Sequence, residues 1–477
     1  MKPDLDFSLL PVTCDSTKIT PGTTFVACDG TKTNGVNFVP EALARGAKKI
    51  IAGEQYRATL APLERQSSTV EFVYTADPRK ALALEAAAAH GYPTKKLRFI
   101  GITGTKGKSS ITHMVDHILR QTGYKTALVG GVANKILDTT VPSSLTTPNS
   151  DFLQAFFASC VDYKVDFVIM EVSSHALSQD RVYGIEFDAV GFTNLANDHL
   201  DFHHTMDEYL KAKAIIFSRL KQTGKAIINI DHPWGEQAQQ AARTILKPEQ
   251  ILTLSQQADA ASQLHILNNS INGLEISVDN LVLSNRYLFG SPYAYNIAMA
   301  ALIAQSLGIE EDSIKQAVYT FTGTPGRMQL HTLKNGAKVF VDFAHSGPPV
   351  EAVLRMLRPL TDNLVVLFGC GGDRPKERRI SMARAAAEFG DRIIITEDNP
   401  RTEDRLQILR DIEANIPSDA QHKTITIQDR RQAIAAAIAL ATTPTSIVAI
   451  LGKGHEPYQI IGTTHHHFDD FEEVQKF

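Results

Sequence analysis

"LRFIGITGTKGKSS", residues Leu97 to Ser110, decides how the rest of the chain is read. Its first seven residues are an apolar, β-branched run of strand length. "GTKGK" then makes a glycine-rich turn and opens the helical pattern "KSSITHMVDHILRQTG". A strand, a glycine turn and a helix start in that order suit phosphate. The backbone N–H groups and the helix N-terminus favour an anion, Lys108 neutralises charge and the Ser109 hydroxyl can ligate magnesium. The strict G-x-x-x-x-G-K-[ST] pattern is not met: Ile102 stands where that pattern has glycine, and the glycines fall at 101 and 104 instead. The plain alternative is an ordinary βα turn, against which two glycines with Lys-Ser at a strand-to-helix switch argue.

Similar strand-length runs recur outward from this stretch: "VDFVIME", "FDAVGFTNL", "KAIINI", "KVFVDF", "LVVLFG", "DRIIIT" and "SIVAIL". Continuous runs separated by helical patterns predict buried parallel strands in an α/β fold. Two Gly/Pro seams, "HGYPTKK" (His90 to Lys96) and "TGTPGRMQLH" (Thr322 to His331), mark candidate boundaries. Domains are therefore expected at 1–92, 93–326 and 327–477, in keeping with 477 residues. No repeat or low-complexity tract is present, and the internal "HHH" (His465 to His467) reads as a surface loop.

Composition narrows the class. Hydrophobic residues make up 43% and charged residues 21%, values of an ordinary globular chain. A net charge of -4 gives no global attraction to nucleic acid or anionic membrane, so any anion site must be local. The four cysteines, Cys14, Cys28, Cys160 and Cys370, form no C-x-x-C pair and suit a reducing compartment. "MKPDLDFSLL" lacks a leader pattern, and no apolar stretch approaches the roughly 20 residues of a membrane helix. A cytoplasmic protein without membrane insertion is expected, acting as a monomer.

Further stretches carry chemistry at strand ends. In "MEVSSHALSQDR", Glu171 ends a buried run, where ligand residues of open α/β sheets gather. It suits a magnesium contact or, equally, a helix-capping acid. "TNLANDHLDFHHTMDEYLKAK" crowds Asp198, His199, Asp201, His203 and His204 together. With no cysteine and no H-E-x-x-H spacing, one histidine near magnesium suits it better than dedicated zinc. Lys211 and Lys213 read as solvated helix lysines. Three later strands end in "GCGGDRPKERR", "TEDNPRTED" and "LGKGHEPYQ", supplying Arg374, Arg401, Lys453, His455 and Glu456. These loops should open onto one edge of one sheet. Arginine suits bidentate carboxylate recognition and Glu456 an ammonium, so the pocket suits a zwitterionic amino acid.

Together these motifs resemble the Mur ligase family, and within it the branch that adds meso-diaminopimelate to a UDP-muramyl dipeptide. "TGTKGKS", "EVSSHAL", "TNLANDHLD", "YLKAK", "VDFAHS", "GCGGDR", "DNPR" and "GKGHE" occur in the family's order over nearly the whole chain. The resemblance implies three domains: a small α/β N-terminal domain for the UDP end of the donor, a central P-loop-type ATPase domain with a mostly parallel sheet, and a Rossmann-like C-terminal domain presenting the amino acid. It implies ATP and Mg²⁺ as cofactors. Gly104, Thr105, Gly107, Lys108, Ser109, Ser110, Asn296, Arg327, Asp342 and His345 would contact ATP. Ser109, Glu171, His199 and a carbamylated Lys213 would hold the metal, which reverses the bland reading of Lys213. Ser16, Thr146, Thr147, Ser173, Gln179 and Arg181 match donor contacts, and Arg374, Asp398, Asn399, Arg401, Gly452 and Glu456 match amino-acid contacts. Arg401 would clamp the distal carboxylate that diaminopimelate has and lysine lacks.

The chain departs from the family's pattern in places. The usual D-S-R reads Asp15-Ser16-Thr17, "DG" reads Asn34-Gly35, and N-x-x-N reads Tyr293-Ala294-Tyr295-Asn296. "AHTPDAL" reads "AHSGPPV", and "GDRDK" reads "GDRPK". The expected reaction is attack of the donor carboxylate on the γ-phosphate of ATP, then amide formation through the acyl phosphate. The rivals are a ligase of the same chemistry taking lysine or a related donor, a folylpolyglutamate-type ligase, and an inert nucleotide-binding scaffold.

Overall fold

The computed structural model describes residues 5–30, 33–141, 145–257 and 259–477. Met1–Asp4, at the head of the stretch read for a leader, lie outside the described residues. The described chain forms two compact units. One comprises residues 1–265, 276–283 and 294–319, the other 266–275, 284–293 and 320–477. The seam at His90 to Lys96 lies inside the first unit, while the one at Thr322 to His331 follows the last switch between units.

The first unit opens with a four-stranded parallel sheet in sequential order: β1 (Val12–Thr13), β2 (Thr24–Val26), β3 (Lys49–Gly53) and β4 (Glu71–Thr75). The alanine-rich helix Pro78–Ala89 follows, its N-terminus capped by the Asp77 carboxylate accepting from Lys80 N at 3.1 Å. Its small buried face of Ala83, Ala86 and Ala87 lets it lie close to the strands, while Leu82 reaches Val12, Val26 and Ile51.

Beyond it stands a larger sheet. Its strands are β5 (Arg98–Thr103), β6 (Thr126–Val129), β7 (Asn134–Ile136), β8 (Thr139–Val141), β9 (Phe167–Glu171), β10 (Phe187–Phe192), β11 (Leu220–Asn229) and β12 (Ile251–Ser255). The spatial order is β12-β11-β10-β5-β9-β6-β7-β8, parallel from β12 to β6 and antiparallel at the β7 and β8 edge. The strands β13 (Ser262–Ser270), β14 (Gly273–Val278) and β15 (Leu281–Asn285) follow in the chain. The central strands are covered on both faces, as continuous apolar runs require. Phe99, Ile100, Val168, Ile169, Val190 and Phe192 are all fully buried.

The second unit carries a six-stranded sheet of β16 (Gln329–Thr332), β17 (Lys338–Asp342), β18 (Leu364–Phe368), β19 (Arg392–Ile395), β20 (Thr424–Thr426) and β21 (Ile447–Leu451). Its order is β16-β17-β21-β18-β19-β20, and only the β16–β17 pair is antiparallel. β16 begins within the stretch read as a seam. Because β17, β21, β18 and β19 run parallel, the ends of all four lie on one edge, as expected for the three charged loops. The "HHH" stretch is not a loop: His465 to His467 lie in β23 (Thr464–His467), paired antiparallel with β22 (Tyr458–Ile461). Its exposed histidines are the polar edge of a hairpin.

Candidate active site

The glycine turn leaves β5 and enters the helix Lys108–Gln121 as its sequence predicts. Gly104 and Gly107 have φ of +137° and +90°, where side chains are strained. Space forbids side chains there as well. A Cβ on Gly104 would lie 1.9 Å from Thr193 Oγ1, and one on Gly107 2.7 Å from Asn296 Oδ1. The second contact places Asn296 against the loop. Asn194 holds the turn from the end of β10: its carbonyl accepts from Thr105 N at 2.9 Å, and its Oδ1 accepts from Lys106 N at 3.0 Å. "TNL" carried no chemical signal of this role in sequence.

Inside the turn, the Lys108 ammonium donates to the carbonyls of Gly104 (2.9 Å) and Thr105 (3.0 Å). The Ser109 hydroxyl donates to Glu171 Oε1 at 2.9 Å, and Gly131 N donates to the same oxygen at 2.9 Å. Glu171 is therefore not a helix cap. The helix Ser174–Ser178 is capped by Ser173, whose Oγ accepts from Ala176 N.

Lys213 overturns its reading as a solvated lysine. It is 1% exposed, whereas Lys211 faces solvent. Its Nζ donates to Gly104 O at 2.8 Å and sits 4.5 Å from the centre of the Tyr209 ring. Two lysines thus share one carbonyl. Burial, and then the charge of Lys108, push the Lys213 ammonium well below its ordinary value. Tyr209, whose hydroxyl lies 3.3 Å from Thr105 Oγ1, also belongs to this cluster. Ser110 is buried in the first turn of the helix.

His199 adopts a left-handed φ of 54° at the start of a short helix. Its ring stands edge-on to His175 with centroids 5.0 Å apart, and burial lowers its pKa, favouring the neutral imidazole. His203 bonds Ser174 Oγ at 2.9 Å, and burial lowers its pKa to about 4. Among the described residues no three His, Cys, Asp or Glu side chains converge as a metal set. The donor set about the loop is of another kind: a hydroxyl, a buried carboxylate that forms no ion pair among the described residues, and a lysine amine. The hydroxyl and carboxylate oxygens fit a hard cation such as Mg²⁺. Lys213 fits it only with its positive charge removed.

The residues matched to donor contacts lie beyond the β9 end. Thr147 Oγ1 donates to Glu171 O at 2.9 Å and lies 3.3 Å from Ser173 Oγ. Arg181 donates to Thr147 O at 2.8 Å and to Gln179 Oε1 at 2.8 Å. Thr146 lies beside Gly131. Ser16 instead donates to Glu41 within the first sheet's surroundings, at 2.9 Å. One cleft is lined by Gln179 and Arg181 together with Arg79, Asn149 and Ser150.

In the second unit, Asp342 ends β17 and accepts from Met328 N (2.7 Å) and Ala344 N (2.8 Å), bracing the backbone on both sides. The Arg327 guanidinium lies 4.9 Å from the centre of the Phe343 ring. Tyr293, standing where the family's asparagine would be, donates from its hydroxyl to Arg327 O at 2.7 Å. His345 lines a cleft with Arg374, Asp398, Asn399, Arg401, Gly452 and Glu456, so the three charged loops do converge.

Within that cleft Asn399 Nδ2 donates to Glu456 Oε2 at 2.7 Å, and Ile460 N donates to Asn399 Oδ1 at 2.9 Å. Arg401 has φ of 53°. Its backbone pairs with Ile460 and Gly462, and its Nη1 donates to Gly372 O at 3.0 Å. Burial and then Asp398 raise the Glu456 carboxyl. Lys453, fully buried, donates to Tyr458 O. Behind them Arg430 and Asp470 form a wholly buried bidentate pair, with both bonds at 2.7 Å. Arg430 also donates to the carbonyls of Glu397 (3.0 Å) and Leu451 (3.2 Å), the residues just before Asp398 and Gly452. Neither Arg430 nor Asp470 carried a motif, so the sequence offered no signal for them.

A phosphate loop beside a buried carboxylate–lysine cluster, with a second sheet whose carboxyl edge gathers arginine, asparagine and glutamate, defines a nucleotide-dependent α/β enzyme. The chain belongs to the Mur ligase family. Residues 11–98 match that family's catalytic-domain model, 102–304 its middle domain and 326–454 its glutamate ligase domain. It is 38% identical to the UDP-N-acetylmuramoyl-L-alanyl-D-glutamate–2,6-diaminopimelate ligase of Thermosynechococcus vestitus, over 99% of this chain and 94% of that protein. A solved structure of a ligase with that name superposes with a TM-score of 0.68 at 30% identity, covering 100% of this chain and 96% of the other. The MurF ligase of Thermotoga maritima, solved in complex with ADP, shares the fold at 17% identity, with a TM-score of 0.59 and coverage of 92% and 93%. No helix among the described residues is long and apolar enough to cross a membrane.

Proposed function

We propose that this chain is an ATP-dependent, ADP-forming ligase that joins meso-diaminopimelate to UDP-N-acetylmuramoyl-L-alanyl-D-glutamate in peptidoglycan precursor synthesis. The observation that carries the reading is the cluster at the glycine turn. Lys108 and the buried Lys213 share the Gly104 carbonyl, next to the Ser109–Glu171 pair. Full-length kinship to a ligase named for this reaction supports it.

In this reading the donor carboxylate attacks the γ-phosphate of ATP, and the amine of diaminopimelate then displaces phosphate from the acyl phosphate. The first step brings anions together and so needs cationic groups, the role proposed for Lys108 and for Arg327. Magnesium, when bound, would add charge neutralisation between carboxylate and phosphate. Ser109, Glu171, His199 and a carbamylated Lys213 would hold it. Carbamylation needs a neutral amine, and burial beside Lys108 favours that form. Gly104, Thr105, Gly107, Ser110, Asn296, Asp342 and His345 serve ATP. Ser16, Thr146, Thr147, Ser173, Gln179 and Arg181 serve the donor. Arg374, Asp398, Asn399, Arg401, Gly452 and Glu456 serve the amino acid: Glu456 suits its ammonium, and Arg401 its distal carboxylate.

The functional divisions proposed are 1–92 for the UDP end, 93–326 for ATP and 327–477 for the amino acid, in a cytoplasmic monomer. The test is ADP formation with ATP, Mg²⁺ and the UDP-muramyl dipeptide, run in parallel with diaminopimelate, lysine and ornithine. Turnover with diaminopimelate alone is expected. Equal use of lysine would remove the Arg401 argument, and ADP formation without the donor would overturn the assignment.

A further inference from the structure

Arg79 occupies the second position of the helix Pro78–Ala89, and no motif drew attention to it. Its guanidinium donates through Nη1 to Gln179 Oε1 at 3.3 Å and through Nη2 to the carbonyl of Asp29. Arg181 donates to the same Gln179 oxygen at 2.8 Å. Two guanidiniums therefore meet at one neutral acceptor, and both line the cleft that also holds Asn149 and Ser150.

Neither arginine forms an ion pair among the described residues. The carboxylates nearby are engaged elsewhere. Asp29 accepts from Tyr56 and Gln55, Asp77 caps its helix and pairs with Lys80, Asp180 pairs with Arg219, and Asp151 accepts from Thr13 and Cys14. Arg181 Nε is buried without a partner among the described residues. Burial, and next the charge of Arg79, lower the Arg181 pKa, as two like charges in partial shelter must. Paired guanidiniums without a counter-charge are the arrangement that binds a multidentate oxyanion.

We propose that Arg79 and Arg181 together form an anion clamp for the donor, with Arg79 a specificity-determining contact supplied by the first ninety residues. The occupant is an anionic oxygen group: the diphosphate of the UDP end, or a carboxylate of the muramyl peptide. Gln179 holds the two guanidiniums in register through its single shared oxygen. The inference rests on the ligase reading above.

The experiment compares the full-length wild type with Arg79→Gln and Arg79→Lys. Steady-state constants are measured for donor, ATP and diaminopimelate, and calorimetry gives the affinities for UDP alone and for the complete UDP-muramyl dipeptide. Arg79→Gln is expected to raise the donor KM about tenfold or more, as loss of a charged contact does. The KM values for ATP and diaminopimelate should stay within about twofold. Arg79→Lys should recover most of the loss at low salt and less at high salt. An equal loss for UDP alone assigns the clamp to the diphosphate. Unchanged UDP affinity with weakened dipeptide binding assigns it to the peptide carboxylate. Unchanged affinity for both, or an equal loss toward all three substrates with a lowered melting temperature, overturns the proposal. A wild type that binds no UDP-muramyl dipeptide would overturn the ligase reading itself, and the clamp with it.

Discussion

Lys213 is the residue whose surroundings say most. A lysine 1% exposed, sharing an acceptor with a second lysine, is costly unless its charge is removed or compensated. Lys213→Ala should lower kcat by about a hundredfold or more, as expected for removal of a charge-stabilising group. Short carboxylic acids added to the assay should restore part of the rate, since they can occupy the vacated space with the right charge. Unaltered activity without them would rule out the carbamate role. Arg401 makes a separate prediction. Arg401→Ala should cost about 10- to 100-fold in kcat/KM for diaminopimelate, the range of a lost charged hydrogen bond. It should also narrow the preference over lysine, which a side-by-side amino-acid panel would read.

The loops of the second sheet owe their geometry to buried ion pairs behind them. Arg430 and Asp470 are both fully buried, and Arg430 fastens the ends of β19 and β21 through Glu397 O and Leu451 O. Removing one partner leaves an uncompensated charge, so Arg430→Met should destabilise by about 3–5 kcal/mol in denaturant titrations. Arg379, 2% exposed, bonds Glu403 and Asp411 at 2.6 Å each and so ties the helix Glu377–Phe389 to the neighbouring loop and helix. The Glu403 carboxyl is held low by Arg379, and that of Asp411 by Gln407 and then Arg379. Folded values below the unfolded ones mean that this stabilisation is present above the ordinary carboxylate range. It is lost as pH falls through the folded values. The melting temperature should therefore drop as pH goes below about 4, the unperturbed carboxylate range. Arg379→Met should flatten that dependence, and an unchanged slope would exclude the pair as its source.

For the whole molecule, the glycine turn lies in the first unit, and Arg327 and the cleft of Arg374, Arg401 and Glu456 lie in the second. Sustained ADP release should require donor and amino acid together, because the acyl phosphate must be consumed by the amine before the next turnover. A rate with ATP alone that matched the full reaction would contradict this. A non-hydrolysable ATP analogue at 100 times its Kd should stabilise the unit that binds it by about 2.7 kcal/mol, seen as a raised melting transition.

Much of this was legible in the sequence because it is local. The strand–turn–helix at Leu97 to Gln121 follows from its apolar run and glycines, and the parallel sheets follow from β-branched runs with helices between them. The convergence of three charged loops follows from parallel strands ending on one edge. Other features depend on partners far apart in the chain. By its local pattern Lys213 reads as a surface residue, a reading that only the family resemblance reversed, and its burial depends on a bond to Gly104, 109 positions away. Arg430, Asp470 and Arg79 carry no motif, and Tyr209 and Asn194 lie in motifs that assigned them no role, because their roles lie in bonds across the fold. Even the histidine run changes character once β22 pairs with it. Local backbone preference and hydrophobic pattern thus determined the elements and the phosphate turn. Only tertiary packing decided which charges are buried together, because desolvation and charge pairing depend on neighbours that chain order does not reveal.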